Sequence, residues 1–330
     1  MESLSRRALL TTGLASSAAL ATGAVGTAQA ATPPLSCSTR SETGPLSIPK
    51  TGMHLVTLGT KGGPTVRTDR CQPANLLVVD GRAYVVDCGA GVTRQMVLAG
   101  VPLADIAAIF ITHHHSDHNL EFGNLAYSAW NGNLVKPITF CAPPPIKRMV
   151  RGFLKVHEYD IETRIDDQGL PEFEPLLRVQ EFKRSGTVYE DAHVRVSAAL
   201  NTHPPVEHSY ALRFDTKYGS VVFSGDTAPD QRVVRLARDA DWLVHEVLHL
   251  PTLDKLIESQ PTEAKLKEHL LASHTTNEQV GRIALEAGVP NLLLSHLVYF
   301  GPVTDDQWLT DAKGDYDGNL VIARDLDLIF

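Results

Sequence analysis

Past a weakly apolar N-terminus, the chain alternates short β-branched runs with amphipathic stretches. Residues 54–59 and 75–79 have the short, Leu/Val-rich character of strands, and a third strand over 83–87 is turned by Asp80-Gly81. A helix from 92 to 99 is stopped by Gly100 and Pro102. Residues 107–112 are almost wholly apolar and too short for a helix, so they predict a buried strand that ends at His113. Further on, 194–199, 211–214 and 220–224 predict strands around the turn Lys217-Tyr218-Gly219, followed by a helix over 231–239 and a strand over 242–245. Thr276 caps a helix reaching Glu286, with Val280, Ile283, Ala284 and Ala287 on one face; Gly288 and Pro290 end it before a buried strand at 292–296. Hairpins mixed with β-α-β units predict helices layered over sheets in one α/β domain.

Three stretches, 119–135, 143–175 and 252–272, read as loops over one face of that domain. The first holds Leu120, Phe122, Leu125, Trp130 and Leu134, which suit an apolar lid, a homodimer face or plain packing onto the domain.

Composition narrows the class. Hydrophobic residues at 43% and charged residues at 21% are those of a soluble globular chain and exclude a disordered one. After the first thirty residues no uncharged apolar run reaches the roughly 20 residues that span a bilayer. Residues 1–30 read as an address: Arg6-Arg7 precedes an Ala/Gly/Thr-rich stretch ending at Ala28-Gln29-Ala30, a pattern that resembles a twin-arginine export signal cleaved before Ala31, or else an uncleaved anchor. This predicts a mature domain over 31–330 and a periplasmic or secreted location. The formal charge is −8, and without residues 1–30 the remaining 28 basic and 37 acidic side chains give −9, a balance that disfavours a nucleic-acid partner. Cys37 and Cys71 lie in loops suited to a disulfide, whereas Cys88 and Cys141 read as small buried hydrophobes.

Chemistry concentrates in Thr112-His113-His114-His115-Ser116-Asp117-His118, at the end of a buried strand. Four imidazoles and a carboxylate in six residues cannot all be satisfied as core groups, and neutral His with Asp is a transition-metal donor set. His203, Asp226 and His296 each end or follow a strand-like run, which is how separate strands deliver ligands to one edge.

With these residues, the chain resembles the metallo-β-lactamase-fold hydrolases over most of its length. The resemblance implies a four-layer αββα sandwich. It implies that His113, His115 and His203 hold one metal, that Asp117, His118 and His296 hold a second, and that Asp226 bridges them. Asp87, in Asp87-Cys88-Gly89-Ala90-Gly91, matches the family's early turn beside the site. Two Zn2+ are expected, and Mn2+ or Fe2+ also suit the donors.

A narrower likeness is to the ribonuclease Z and arylsulfatase-like branch, carried by Leu58-Gly59-Thr60, Phe110 to His113, Val244-His245-Glu246 and Ser273-His274-Thr275-Thr276. It implies that His274 donates a proton to the leaving oxygen and that Glu246 orients it, with His245 alongside. Asp117 would also accept or orient the proton of the attacking water. His245 to His249 fits the His-Glu-x-x-His pattern of zinc peptidases, but that pattern needs a helix and this copy begins at the end of a strand-like run, with Pro251 close behind. The chain also departs from ribonuclease Z. Its candidate insertion, 151–174, sets Arg151, Lys155 and Arg164 against Glu158, Asp160, Glu162, Asp166, Asp167, Glu172 and Glu174, a net −4 where a basic RNA-gripping arm is expected. Val298-Tyr299-Phe300 stands where many members carry Arg-Tyr.

The expectation is therefore an exported dinuclear hydrolase that uses a metal-bridging hydroxide on a small ester-type substrate, phosphodiester or sulfate ester first. The alternatives are a lactonase or carboxylic esterase, and a ribonuclease Z-like nuclease or phosphodiesterase, which a basic patch of Lys147, Arg148, Lys183 and Arg184 would support. A di-iron redox protein on the same fold is opposed by His115, where the di-iron oxidoreductases of this fold usually carry Glu.

Overall fold

Residues 45–330 are described by the computed structural model. Two seven-stranded sheets lie face to face. The first is built from β1 (Met53–Gly59), β2 (Ala74–Val79), β3 (Arg82–Val86), β4 (Ile106–Phe110), β5 (Ile138–Ala142) and β6 (Leu177–Glu181). The second is built from β7 (Gly186–Glu190), β8 (Val194–Leu200), β9 (Tyr210–Thr216), β10 (Gly219–Phe223), β11 (Trp242–Leu248), β12 (Asn291–Val298) and β13 (Asn319–Ile322). The last strand, β14 (Asp327–Leu328), returns to pair with β1 at the edge of the first sheet.

Helices cover both outer faces. Beside the first sheet run α1 (Val92–Leu98), α2 (Ser116–Asn119), α3 (Phe122–Asn131) and α4 (Ile146–Gln168). The second sheet is followed by α5 (Gln231–Ala237), α6 (Leu253–Glu258), α7 (Leu266–Ser273), α8 (Asn277–Ala287) and α9 (Asp305–Lys313). One apolar cluster joins the first sheet to its helices, a second fills the space between the sheets, and a third joins the second sheet to α5, α8 and α9. This is the αββα sandwich expected from the sequence.

The local reasons are those read from the chain. Thr276 and Gln279 form a reciprocal capping box at the start of α8. Val280, Ile283, Ala284 and Ala287 are its buried face, and Gly288 closes it at φ +67°. In each sheet the strands nearest the site are parallel, β3 to β6 in the first and β10 to β13 in the second. Parallel strands expose their C-terminal ends along one edge, which is where loops can gather ligands.

The stretches read as loops differ. Residues 122–131, 146–168, 253–258 and 266–273 are helical. Their apolar residues are spaced for packing against a neighbour, and tertiary contact supplies what weak local signals do not. Of the proposed lid residues, Phe122, Leu125, Trp130 and Leu134 are buried in the first core, and only Leu120 is exposed. Plain packing is therefore their role. Among the described residues no helix is long and apolar enough to cross a membrane. Residues 1–30 and Cys37, with the address and the disulfide expected of them, lie outside the described residues.

Trp130 is fully buried and donates its indole N–H to the Pro171 carbonyl at 2.8 Å. Trp130→Ala is expected to lower unfolding free energy by about 3–5 kcal/mol, measured by urea denaturation, while leaving the association state unchanged in sedimentation.

Candidate metal centre

The strand exits bring the chemistry together. His113, His115, Asp117 and His118 follow β4, while His203 follows β8. Asp226 follows β10, and His296 lies within β12 at φ +46°, a left-handed conformation costly for a side chain of this kind. The chain can turn into Asp226 only through glycine. Gly225 sits at φ +58°, and a Cβ there would lie 2.7 Å from the Tyr210 carbonyl oxygen.

Two donor groups result, one from His113, His115, His203 and Asp226, the other from Asp117, His118, Asp226 and His296. Asp226 belongs to both because its two oxygens face opposite ways. Oδ2 lies 3.7 Å from His113 Nε2, and Oδ1 lies 3.2 Å from both His118 Nε2 and His296 Nε2. Asp117 Oδ2 is 3.6 Å from His118 Nε2 and 3.4 Å from His296 Nε2. His115 Nδ1 is 3.1 Å from His203 Nε2.

These separations test whether metal ions fit. Ligands about 2.0–2.1 Å from a tetrahedral ion stand roughly 3.3–3.4 Å apart, close to the distances found here. The nitrogens also carry lone pairs where a metal needs them. A backbone carbonyl only accepts, so His203 Nδ1, 3.0 Å from the Ser273 oxygen, carries the proton and leaves Nε2 free to ligate. His118 Nδ1 donates to Asp87 Oδ2 at 2.8 Å, which likewise frees Nε2. His113 Nε2, His118 Nε2, His296 Nε2 and Asp226 Oδ1 are all buried with no hydrogen-bond partner. Buried polar atoms are ordinarily satisfied, so four unsatisfied ones aimed together fit a cation.

Asp87 unites the two groups from behind. Besides holding His118, it accepts from the Thr112 amide at 2.8 Å and from its hydroxyl, whose oxygen is in turn 3.1 Å from His113 Nδ1. Asp87 itself sits at φ +63°, the strain of a residue turned to face the site.

Burial lowers the pKa of His113 well below the imidazole range, assisted by the neighbouring His118, and takes His203 down to about 4. For His296 burial also acts downward, but the Asp226 and Asp117 carboxylates outweigh it and bring the pKa to about 9. His118 moves upward on the same balance of burial against Asp226 and Asp87. Without metal, protons on the second group therefore stand in for positive charge.

A third set adjoins these: Glu246, His274 and His296. His274 Nδ1 donates to Glu246 Oε1 at 3.1 Å, and the same oxygen accepts from the Thr227 amide at 3.0 Å and the Thr275 amide at 3.1 Å. The His274 ring lies 5.2 Å from that of His203 and 5.8 Å from that of His296, so it stands between the two donor groups. Burial alone would lower its pKa, but Glu246 reverses this and the net shift is upward. His245 points the other way. Its Nδ1 donates to the Glu246 carbonyl at 2.7 Å, and its ring borders a cavity of ≈ 30 Å³ between the sheets, behind the ligands.

The peptidase-like His245 to His249 segment runs along β11 and just past its end, with His249 packed against Trp308, so the two imidazoles do not share a helix face. His114 turns aside to donate to the Pro143 carbonyl at 2.8 Å. One residue escaped the sequence reading. His269 on α7 places its ring 5.8 Å from His203, 5.9 Å from His274 and 6.0 Å from His115. Its only signal is helical spacing: it shares a face with Ser273, to which it is hydrogen-bonded at 3.3 Å, one residue before His274.

Comparison with known proteins supports the resemblance. The family described as anti-Pycsar protein Apyc1 matches residues 53–284. The ribonuclease Z of Mycobacterium bovis BCG is 31% identical over 278 residues, covering 83% of this chain and 96% of its own. That of Mycolicibacterium gilvum is 32% identical, covering 82% and 94%. Among solved structures, the metallo-beta-lactamase fold protein YhfI from Bacillus subtilis superposes with a TM-score of 0.63 at 22% identity, covering 84% of this chain and 98% of its own. Human tRNase Z, short form, gives 0.62 at 19% with the same coverage. These last two speak for the fold.

Two expectations are overturned. Nucleic acid is not a poor candidate partner, because relatives aligned along most of the chain are ribonucleases, enzymes named for action on RNA. The charge argument against RNA fails for a structural reason. Most of segment 151–174 belongs to α4, whose Phe153, Leu154, Ile161 and Ile165 pack onto the first core, so it is no free arm and its net charge does not describe the approach to the site. The expected periplasmic or secreted location is overturned as well: relatives aligned along most of the chain are ribonucleases Z, and nothing in that likeness or among the described residues speaks for export.

Two measurements check the donor groups. Asp226→Ala is expected to strip metal from both, whereas His203→Ala strips it from the first alone, read as metal per chain by plasma emission; equal loss in the two variants would refute the shared role of Asp226. Metal binding is expected to release protons, with affinity rising as pH climbs toward about 9, because His296 must lose its raised-pKa proton before it can ligate. Calorimetry in buffers of different ionisation enthalpy reads that release.

Proposed function

The chain belongs to the Apyc1 family of the metallo-β-lactamase fold, with ribonucleases Z as near relatives, and on that premise we propose that it is a dinuclear metal-dependent phosphodiesterase acting on ribonucleotide phosphodiesters. That it is a metal-dependent hydrolase of ester bonds follows from the relatives themselves. The ribonuclease-like alternative is favoured over a sulfate or carboxylic ester by the same likeness.

The observation that carries the reading is the Glu246–His274 pair set between the two donor groups. His113, His115 and His203 would hold one ion and Asp117, His118 and His296 the other, with Asp226 shared; zinc suits this donor set best. Such ions, when bound, supply Lewis acidity and bring the pKa of water toward neutrality. The remaining work falls to side chains. Asp117 Oδ2 receives the Gly63 amide at 2.9 Å, which fixes the carboxylate so that it can orient the attacking water and take its proton. As the bond from phosphorus to the leaving oxygen breaks, His274 gives that oxygen the proton on Nε2. Glu246 keeps the opposite nitrogen, Nδ1, protonated and the ring aligned, and the Thr227 and Thr275 amides hold Glu246 in turn. His245 lies behind Glu246 and acts only through it.

The test uses metal-analysed protein with a short RNA and with bis(p-nitrophenyl) phosphate. His274→Ala is expected to lower kcat on RNA by roughly 10²–10⁴, and less on the nitrophenyl ester, whose leaving group needs no proton. Metal content should be unchanged. No turnover of either phosphodiester by the wild type, or equal loss on both substrates in the variant, would refute the assignment.

A further inference from the structure

Among the described residues, Lys61 is the only lysine or arginine that is buried, with 6% of its surface exposed. It follows the end of β1 and is clamped against the end of β12. Its amide donates to the Cys71 carbonyl at 2.9 Å, and the next amide, Gly62, donates to the Leu297 carbonyl at 3.0 Å. The segment presses directly on the site. A Cβ on Gly62 would lie 2.6 Å from His296 Nδ1, so only glycine lets the chain pass there. Gly63 then gives its amide to Asp117.

The ammonium has little to hold it. Its one hydrogen-bond partner among the described residues is the carbonyl of Gly62. A buried charge is ordinarily paired with an opposite one, and an isolated ammonium is costly. The nearby cation Arg67 is occupied with Asp69 at 3.2 Å and with the face of Tyr299. Asp117, the carboxylate on the inner side, belongs to the second donor group. Nζ lies 3.6 Å from where a Cβ on Gly63 would stand, which sets the ammonium beside the residue whose amide binds Asp117. Burial, with Arg67 adding to it, brings the Lys61 pKa down to about 8, which leaves it mostly charged at neutral pH.

We propose that Lys61 is the anion-binding side chain of this centre: its ammonium takes a non-bridging phosphoryl oxygen of the substrate, and a phosphate oxygen of the product, on the Asp117 side. This rests on the phosphodiesterase reading and adds to it a recognition element for the phosphoryl charge. A charge-assisted hydrogen bond made to a ligand oxygen in a buried site contributes strongly to affinity, and Lys61 has donors free to make one.

The experiment compares wild type with Lys61→Met and Lys61→Arg, metal-loaded and metal-analysed, using inorganic phosphate as the probe. Calorimetric affinity for phosphate is expected to fall roughly tenfold or more in Lys61→Met, with KM for bis(p-nitrophenyl) phosphate rising alongside, and Lys61→Arg should recover part of both. Unchanged phosphate affinity and KM in a metal-replete Lys61→Met would overturn the proposal. Should that variant not fold, ¹⁵N-lysine-labelled wild type still decides: the Lys61 Nζ resonance, identified by its loss in Lys61→Arg, shifts on adding phosphate if the contact exists, and an invariant resonance at saturation overturns it. Phosphate binding through Lys61 without phosphodiester turnover would instead refute the function proposed above and leave this contact standing.

Discussion

Two carboxylates and five imidazoles meet where water is largely shut out, and much of the structure around them is arranged to make that tolerable. Asp117 and Asp226 are buried, and a pair of buried anions repels. The His113, His118 and His296 nitrogens facing them lack hydrogen bonds. Only positive charge at two points satisfies all of these groups. The carboxylates shift His118 and His296 upward against the effect of burial, whereas for His113 and His203 burial prevails and the shift is downward. The contrast marks the second group as the more electronegative half.

That constraint explains features that would otherwise be liabilities. Asp87 and His296 both adopt positive φ, each at a cost of order 1–3 kcal/mol. Asp87 recovers it by binding His118 directly and, through Thr112, the ring of His113, so one strained turn orients a ligand in each group. Glu246 does the same for His274, anchored by two backbone amides. Carboxylates that orient ligating or proton-donating imidazoles are as necessary as the ligands, because a rotated ring presents the wrong nitrogen.

Much of this was legible in the chain. The strands over 54–59, 75–79, 107–112 and 242–245 and the helix capped by Thr276 were readable because each is a short apolar run or a clean 3.6-residue face bounded by Gly or Pro. The seven expected ligands converge because each follows or ends such a run. The helices α3, α4, α6 and α7 were not readable, since their apolar spacing becomes meaningful only against the neighbour it packs on. His269 and Lys61 were hidden for a related reason. A histidine on a half-exposed helix and a lysine in a glycine-rich turn look like surface residues until the fold brings one beside His203 and buries the other near Asp117.

The failed inference from charge shows where sequence bookkeeping stops. A formal charge of −8 is a property of the whole surface, and at physiological salt its field decays within roughly 8–10 Å. The phosphodiester proposed as substrate would be captured by the field inside the cleft. There, two divalent cations would exceed the combined charge of Asp117 and Asp226, and Glu246 is engaged by His274 and two backbone amides. Lys61 adds a further cation, shielded from solvent and therefore poorly screened. The centre is thus positive to its ligand within an acidic protein, and the two facts do not compete because they act over different distances. On the function proposed above, His274, beside His203 and His296, would serve the leaving oxygen, and Lys61 would hold the non-bridging phosphoryl oxygens.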